Sequence, residues 1–390
     1  MRKNDMHINC NETLKYDIGL LEELDSLFGN SCKIIKMLSK PPDRFYLRVN
    51  TTKISKNEYL KILKENGINF YEDEHIDYAI WAPINGPYEI PIYNKKIYVN
   101  KYASESVYLG SNLYIPGILK ADKIKKGDKV TIFSKNNIPL ASGTSAIDWE
   151  DIYKLKNGLA VIVEDSVYKS PKIRELPGFN EGYIYSQSIP SILIGEIIDT
   201  NDFGKNPIII DMNAAPGGKL GLIAQKFNRN SKIIAIDRPS KVNDLKERIH
   251  RLGYDWVEII GGDSRYASQE LKINEKADLV LIDPPCTNLG VIPKLYDQKS
   301  LRDMIVLTKY QKQFINEAFK LLKPGGTLIY STCTLTYSEN EANIMYATSI
   351  GFDVEEINIK ADVIKNDYGI RFSPERGYPG FFISKLIKNV

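Results

Sequence analysis

Asp211-Met212-Asn213-Ala214-Ala215-Pro216-Gly217-Gly218-Lys219 joins the apolar run Ile208-Ile209-Ile210 to a segment of helical pattern. Its small residues let a ligand approach the backbone closely, and the helix start beyond it presents unpaired N–H groups suited to an anion. The dinucleotide fingerprint G-x-G-x-x-G is absent, and a P-loop would end Gly-Lys-Ser/Thr where this loop reads Lys219-Leu220. Four further apolar runs follow, separated by helical stretches: Ile233-Ile234-Ala235-Ile236, Val257-Glu258-Ile259-Ile260, Leu279-Val280-Leu281-Ile282 and Thr327-Leu328-Ile329-Tyr330. Runs of this kind fit strands covered on both faces, so the pattern predicts a doubly wound α/β sheet. Gly380-Phe381-Phe382-Ile383-Ser384-Lys385-Leu386 is expected to add a last strand.

The first four runs end on or just before Asp211, Asp237, Asp263 and Asp283, and Cys333 stands just beyond the fifth. In a parallel open sheet these positions converge on one edge, where ligands bind. A lone Asp after a strand ordinarily caps a turn; four in register point to one pocket. Asp237 lies where a carboxylate accepts from both hydroxyls of a ribose, and Asp263 where one accepts from an adenine amino group. With no pyrophosphate signature, this set suits S-adenosylmethionine, its carboxylate near the first helix N-terminus.

Asp283-Pro284-Pro285-Cys286 resembles the base-holding motif of amino-directed methyltransferases, except that Cys286 replaces the aromatic residue. A thiol there suits a different target. C5 of cytosine has no lone pair, and it becomes nucleophilic only once a thiolate has added at C6. Two thiols are available, Cys286 and Cys333. Either alone would read as a buried apolar side chain, but both sit at the ligand edge. Ser338-Glu339-Asn340-Glu341 reads as a capping box that starts the next helix, which puts Cys333 in the turn before it.

The 390 residues suggest two or three folded units, and 43% hydrophobic and 26% charged residues exclude long disorder. Residues 1–94 read as an α+β region with a helix around Leu14 to Phe28, a strand at Tyr46-Leu47-Arg48-Val49 and a helix from Lys56 to Asn66. Residues 95–172 hold short strands such as Lys129-Val130-Thr131-Ile132-Phe133 between Gly and Pro turns, the pattern of a β-barrel-like module. Residues 173–204 form a linker and a return to the α+β region, and 205–390 the α/β core. The middle region carries 13 Lys, no Arg and 8 acidic residues, an excess of five positive charges in a chain of net +3. Lys123, Lys125 and Lys126 are its candidate RNA contacts, although a charge run is ordinarily a solvated face.

No run nears the ~18 apolar residues of a membrane helix, and Met1-Arg2-Lys3-Asn4-Asp5 begins a polar stretch, so a soluble cytoplasmic protein is expected. Four cysteines without a C-x-x-C and only three histidines argue against a metal site or a disulfide framework and predict free thiols.

Together, Asp211 to Lys219, Asp-Pro-Pro-Cys-Thr at 283–287 and Ser-Thr-Cys-Thr at 331–334 followed by Glu339-Asn340-Glu341 resemble the RsmB/NOP/Sun family of RNA cytosine-C5 methyltransferases. The resemblance implies a Rossmann-like, class I S-adenosylmethionine-dependent domain. Cys333 would be the nucleophile, Cys286 would assist release, Asp283 would hold the cytosine edge and Lys219 would lie near the base. Asn213, Ala214, Ala215, Pro216, Gly217, Gly218, Lys219, Asp237, Asp263 and Asp283 would line the cofactor site. Asn213, Leu220 and Thr287-Asn288-Leu289-Gly290 depart from the family's usual residues without removing a nucleophile. Val99 to Tyr168, with Ala103-Ser104-Glu105-Ser106-Val107 and Gly127-Asp128-Lys129-Val130, resembles a PUA domain, a small RNA-binding pseudo-barrel. This combination is similar to the NSUN-six-type subfamily, which implies a monomer acting on cytidine 72 of tRNA, the PUA module gripping the CCA end of the acceptor stem. Another tRNA site or ribosomal RNA is the alternative target, and a non-catalytic RNA-binding scaffold the remote one.

Overall fold

The computed structural model describes Cys10 and residues 13–389; the polar start at residues 1–5 lies outside them. The C-terminal half is built on a sheet whose parallel strands are Ile208–Asp211, Lys232–Asp237, Glu258–Gly261, Ala277–Ile282 and Leu322–Thr332. They lie in the spatial order third, second, first, fourth, fifth. Phe381–Lys388 then pairs antiparallel with the fifth, and Gly369–Phe372 and Phe352–Glu355 flank its far side.

Side-chain alternation explains the unbroken apolar runs. Ile209, Ile233, Ala235, Leu279, Leu281 and Ile329 enter one core, covered by Gly218–Phe227 and Pro239–Leu252. Ile210, Ile234, Ile236, Val280, Ile282 and Leu328 enter the other, covered by Leu301–Leu321 and Glu341–Ser349. With both faces buried, no strand has a polar side to alternate.

Near the N-terminus, Arg44–Val49, Ala79–Pro83 and Tyr71–Glu72 form a sheet that Ile184–Ser186 completes after the middle region. Lys56–Glu65 packs on it through Tyr59 and Leu63. The single helix expected from Leu14 to Phe28 is instead a short strand, Leu14–Tyr16, then Ile18–Phe28, with Ser31–Leu38 following. Leu14–Tyr16 pairs in parallel with Asp297–Lys299. Leu20, Leu24, Ile34 and Leu38 share a core with Leu289, Met304 and Leu335, so these helices buttress the C-terminal half. Cys10 and Cys32 are joined by a disulfide, Cα atoms 5.0 Å apart. The expectation of no disulfide framework therefore fails for this pair, which the chain brings together across 22 residues; Cys286 and Cys333 are free.

The middle region is a six-stranded sheet in which Lys95–Val99 lies parallel to Lys129–Ser134, with the helix Lys101–Tyr108 against it. Among the described residues no helix is long and apolar enough to cross a membrane.

Candidate active site

The first strand ends at Asp211 and the chain turns at once. Met212 N–H donates to Leu281 O (3.0 Å) and Ala214 N–H to Ile236 O (3.2 Å), so the loop spans the carboxyl ends of both neighbouring strands. Ala215 N–H donates to Asp237 Oδ2 (2.8 Å). Gly217 takes φ +105°, and a Cβ there would also stand 3.0 Å from Leu245. Asp211 is 3% exposed; its Oδ1 accepts from Asn213 N–H (3.2 Å), whereas its Oδ2 has no partner. Burial pushes its pKa up to about 7 against the Asn213 N–H and Lys219. Asn213 Oδ1 is likewise buried without a partner.

Asp263 is clasped by Arg265, whose Nε lies 2.9 and 3.1 Å from the two carboxylate oxygens, and this hydrogen bonding holds Asp263 below its ordinary pKa. Arg265 also reaches Gln313 Oε1 (2.7 Å) and stacks 4.7 Å over Tyr310. Lys219 Nζ pairs with Asp283 Oδ2, and Ser331 Oγ donates to Asp283 Oδ1 (3.4 Å). Burial alone would lower the Lys219 pKa, but Asp283, then Cys333 and Asp211, hold it above its ordinary value.

The thiols of Cys286 and Cys333 stand 3.4 Å apart. Asn288 Oδ1 lies 3.1 Å from the first and 3.0 Å from the second. Cys286 is buried and Cys333 half-buried. The hydrogen bond with Cys333, then burial, then the negative charges of Cys333 and Glu339, push the Cys286 pKa well above its ordinary value. The two turns also touch through backbone: Gly290 N–H donates to Cys333 O (2.9 Å), and Gly380 N–H to Gly290 O (2.8 Å). A Cβ on Gly290 would meet Gly380 O at 1.9 Å, so only glycine fits this crossing.

A cavity of about 720 Å³ opens along this edge, walled by Asn213, Ala215, Pro216, Asp237, Asp263, Asp283, Cys286 and Cys333. Of the other expected residues, Ala214 is buried beneath the loop, and Gly217, Gly218 and Lys219 lie just past the wall. Lys123, Lys125 and Lys126 stand exposed on the turn after Ile118–Ala121 and do not line the cavity.

Sequence reasoning missed Asn288 and Glu339. Asn288 adopts φ +57°, a left-handed conformation that asparagine tolerates, which was the only local signal. The capping box expected of Ser338 and Glu341 does not form: the helix Glu341–Ser349 has Asn340 at its N-cap and no side-chain cap bond, and the Glu341 carboxylate accepts from Arg371 Nη2 at 2.6 Å. The Glu339 carboxylate, 0% exposed, accepts from Thr287 N–H (2.9 Å), Thr287 Oγ1 (2.5 Å), Gln311 Nε2 (3.0 Å), Thr334 Oγ1 (3.3 Å) and Thr336 Oγ1 (2.8 Å). Five donors from the surrounding fold hold this carboxylate in place.

Residues 201–387 match the family model of the 16S rRNA methyltransferase RsmB/F, residues 95–167 the PUA domain and residues 20–87 the RsmF/B-like ferredoxin-like domain. A tRNA (cytosine(72)-C(5))-methyltransferase of Pyrococcus horikoshii is 38% identical over 379 residues, 95% of this chain and 96% of that protein. The tRNA (cytosine(72)-C(5))-methyltransferase NSUN6 of Homo sapiens is 28% identical, over 80% of this chain and 74% of its own. The crystal structure of NSun6 from Pyrococcus horikoshii with SFG superposes with a TM-score of 0.84 at 37% identity, covering 96% of this chain and 98% of that one.

Proposed function

The chain belongs to the RsmB/F family of RNA methyltransferases with a PUA domain, and we propose that it methylates C5 of a cytidine in tRNA, at position 72 of the acceptor end. The observation that carries this reading is the pair of thiols 3.4 Å apart on a cavity wall that also bears Asp237, Asp263 and Asp283. The tRNA target draws its support from the 38% identical relative named for that reaction.

The edge residues suit S-adenosylmethionine. Asn213 Oδ1 and Asp211 Oδ2 are buried acceptors lacking donors, as an amino group would require. Asp237 is positioned for ribose hydroxyls and Asp263 for the adenine amino group. When bound, S-adenosylmethionine supplies an electrophilic methyl on a sulfonium.

Cys333 adds as thiolate to C6 of the cytosine, and Lys219, paired to Asp283, stabilises that thiolate and the ring charge beside it. Asp283 holds the cytosine edge. Addition makes C5 enamine-like; once C5 is methylated, loss of its proton expels the Cys333 sulfur and restores the ring. Cys286, whose thiol keeps its proton at neutral pH, assists that release. A cytidine near the end of the acceptor stem leaves its stack cheaply because the terminal pair frays, and the PUA domain would grip the CCA end beside it.

Cys333→Ala is expected to bind the methyl donor and transfer no methyl; normal turnover would overturn the assignment. Cys286→Ala is expected to accumulate a covalent RNA complex, seen as a slow band on a denaturing gel. A ribosomal target is the second reading, favoured by the 16S rRNA family that residues 201–387 match. Mapping methylated positions in tRNA and rRNA transcripts incubated with the protein and labelled donor separates the two.

A further inference from the structure

Past Asn288 the chain leaves the sheet edge and runs to the PUA-matched region. Lys294, 1% exposed, donates from Nζ to the Asn288 carbonyl at 2.8 Å. Its charge needs a partner, because burial lowers its pKa and Asp297 opposes that. Asp297, itself 3% exposed, lies 3.6 Å from Lys294 Nζ. Its Oδ1 accepts from Lys101 Nζ at 2.8 Å, and the Tyr16 hydroxyl donates to the Oδ2 that faces Lys294, at 3.2 Å. Lys101 opens the helix Lys101–Tyr108, inside the segment that matches the PUA domain. Between the two charges, Leu295 is buried in that region's own apolar core, and the Tyr296 ring receives Lys135 Nζ at 5.9 Å. The segment from 294 to 297 is thus anchored on the RNA-reading unit at one end and on the Asn288 turn at the other.

We propose that Lys101, Asp297 and Lys294 are positioning residues that transmit the seating of the PUA unit to Asn288, whose side chain then aims the two thiols. The inference rests on Cys333 being the nucleophile. Asn288 touches both reacting sulfurs and is held in a left-handed turn by the Lys294 bond to its carbonyl. Without Asp297, the buried Lys294 loses its ion-pair partner and keeps only the weaker pull of Glu105, so it must lose its proton or move, and either change releases that carbonyl. Loss of Lys101 leaves Asp297 short of its second cation and loosens the same segment from the PUA side.

The test compares wild type, Lys101→Met, Lys101→Arg and Asp297→Asn in the full-length protein. Three quantities are read: single-turnover methyl transfer at saturating tRNA, tRNA affinity, and the rate at which iodoacetamide alkylates Cys333 without RNA. Lys101→Met and Asp297→Asn are expected to slow methyl transfer by about tenfold or more even at saturation, since small misplacements of a reacting group cost that much. Both should change the RNA-free alkylation rate by about threefold or more, and Lys101→Arg should restore wild-type behaviour. A defect confined to tRNA affinity, with alkylation and saturated turnover unchanged, would overturn the proposal. If Asp297→Asn fails to fold, the contrast between Met and Arg at the partly exposed Lys101 decides. A wild type that methylates no RNA would remove the proposed function, whereas alkylation that is insensitive to Lys101→Met would remove the relay.

Discussion

Asp211 is the residue on the ligand edge whose protonation the fold changes most directly. Burial with one oxygen unpartnered raises its pKa to about 7 from an ordinary 3.8. Between those values the folded protein keeps a proton that the unfolded chain has released, so stability falls as pH rises through the window and levels off above it. The full gap corresponds to roughly 4 kcal/mol. Urea denaturation of wild type and Asp211→Asn should show wild type losing stability relative to the variant between about pH 4 and pH 7; parallel profiles would contradict the buried-carboxyl account. The thiols differ in the same manner. Cys286 is raised by its bond with Cys333 and by burial, so iodoacetamide at pH 8 should label Cys333 before Cys286, as peptide mass spectrometry would detect. Which residues reach the edge was legible, because strand ends are marked by apolar runs stopping at Asp211, Asp237, Asp283 and the cysteines. Their ionisation was not, because it depends on what the folded chain packs around each group, as does the service Asn288 renders to both sulfurs.

The two cysteine turns form one unit because Glu339 lies beneath both. It accepts from Thr287, next to Cys286, and from Thr334, next to Cys333, and the two threonine hydroxyls are 2.6 Å apart. Glu339→Ala would leave several buried donors unpaired, costing about 3–5 kcal/mol. In a variant still folded at low temperature, methyl transfer should drop by about a hundredfold while donor affinity changes less than about threefold, because the sulfurs lose their alignment and the cofactor loop does not. Equal turnover in wild type and variant, measured with labelled donor, would reduce Glu339 to a packing residue. The same element shows why a local motif misleads. Ser338-Glu339-Asn340-Glu341 satisfies the capping pattern, yet Glu341, which would close the box, is claimed by Arg371, 30 residues away in the chain. Leu14–Tyr16 was missed for a related reason, since its strand exists only through its pairing with Asp297–Lys299.

Across the whole molecule, positive charge is concentrated away from the chemistry. Residues 95–172 carry the excess of five, so the rest of the chain is slightly acidic. Some of that excess is neutralised locally: Lys95 pairs with Asp128 and Lys129 with Glu164. Among the described residues Lys123, Lys125 and Lys126 enter no ion pair, and all three project from one exposed turn. Cations held in no ion pair are the ones that can most readily release counterions from a phosphate backbone on binding, so they govern how affinity responds to salt. If the turn touches tRNA, Lys123→Gln, Lys125→Gln and Lys126→Gln combined should weaken binding and flatten the slope of log affinity against log salt by about 2–3, near 0.7–0.9 for each phosphate no longer neutralised. Turnover at saturating tRNA and low salt should hold, since none of the three lines the cavity. Filter binding from 50 to 300 mM salt, on the order of the range where such charges dominate, measures the slope. A triple variant that keeps the wild-type slope would mean that these lysines face solvent and that the phosphates are held elsewhere on the basic unit.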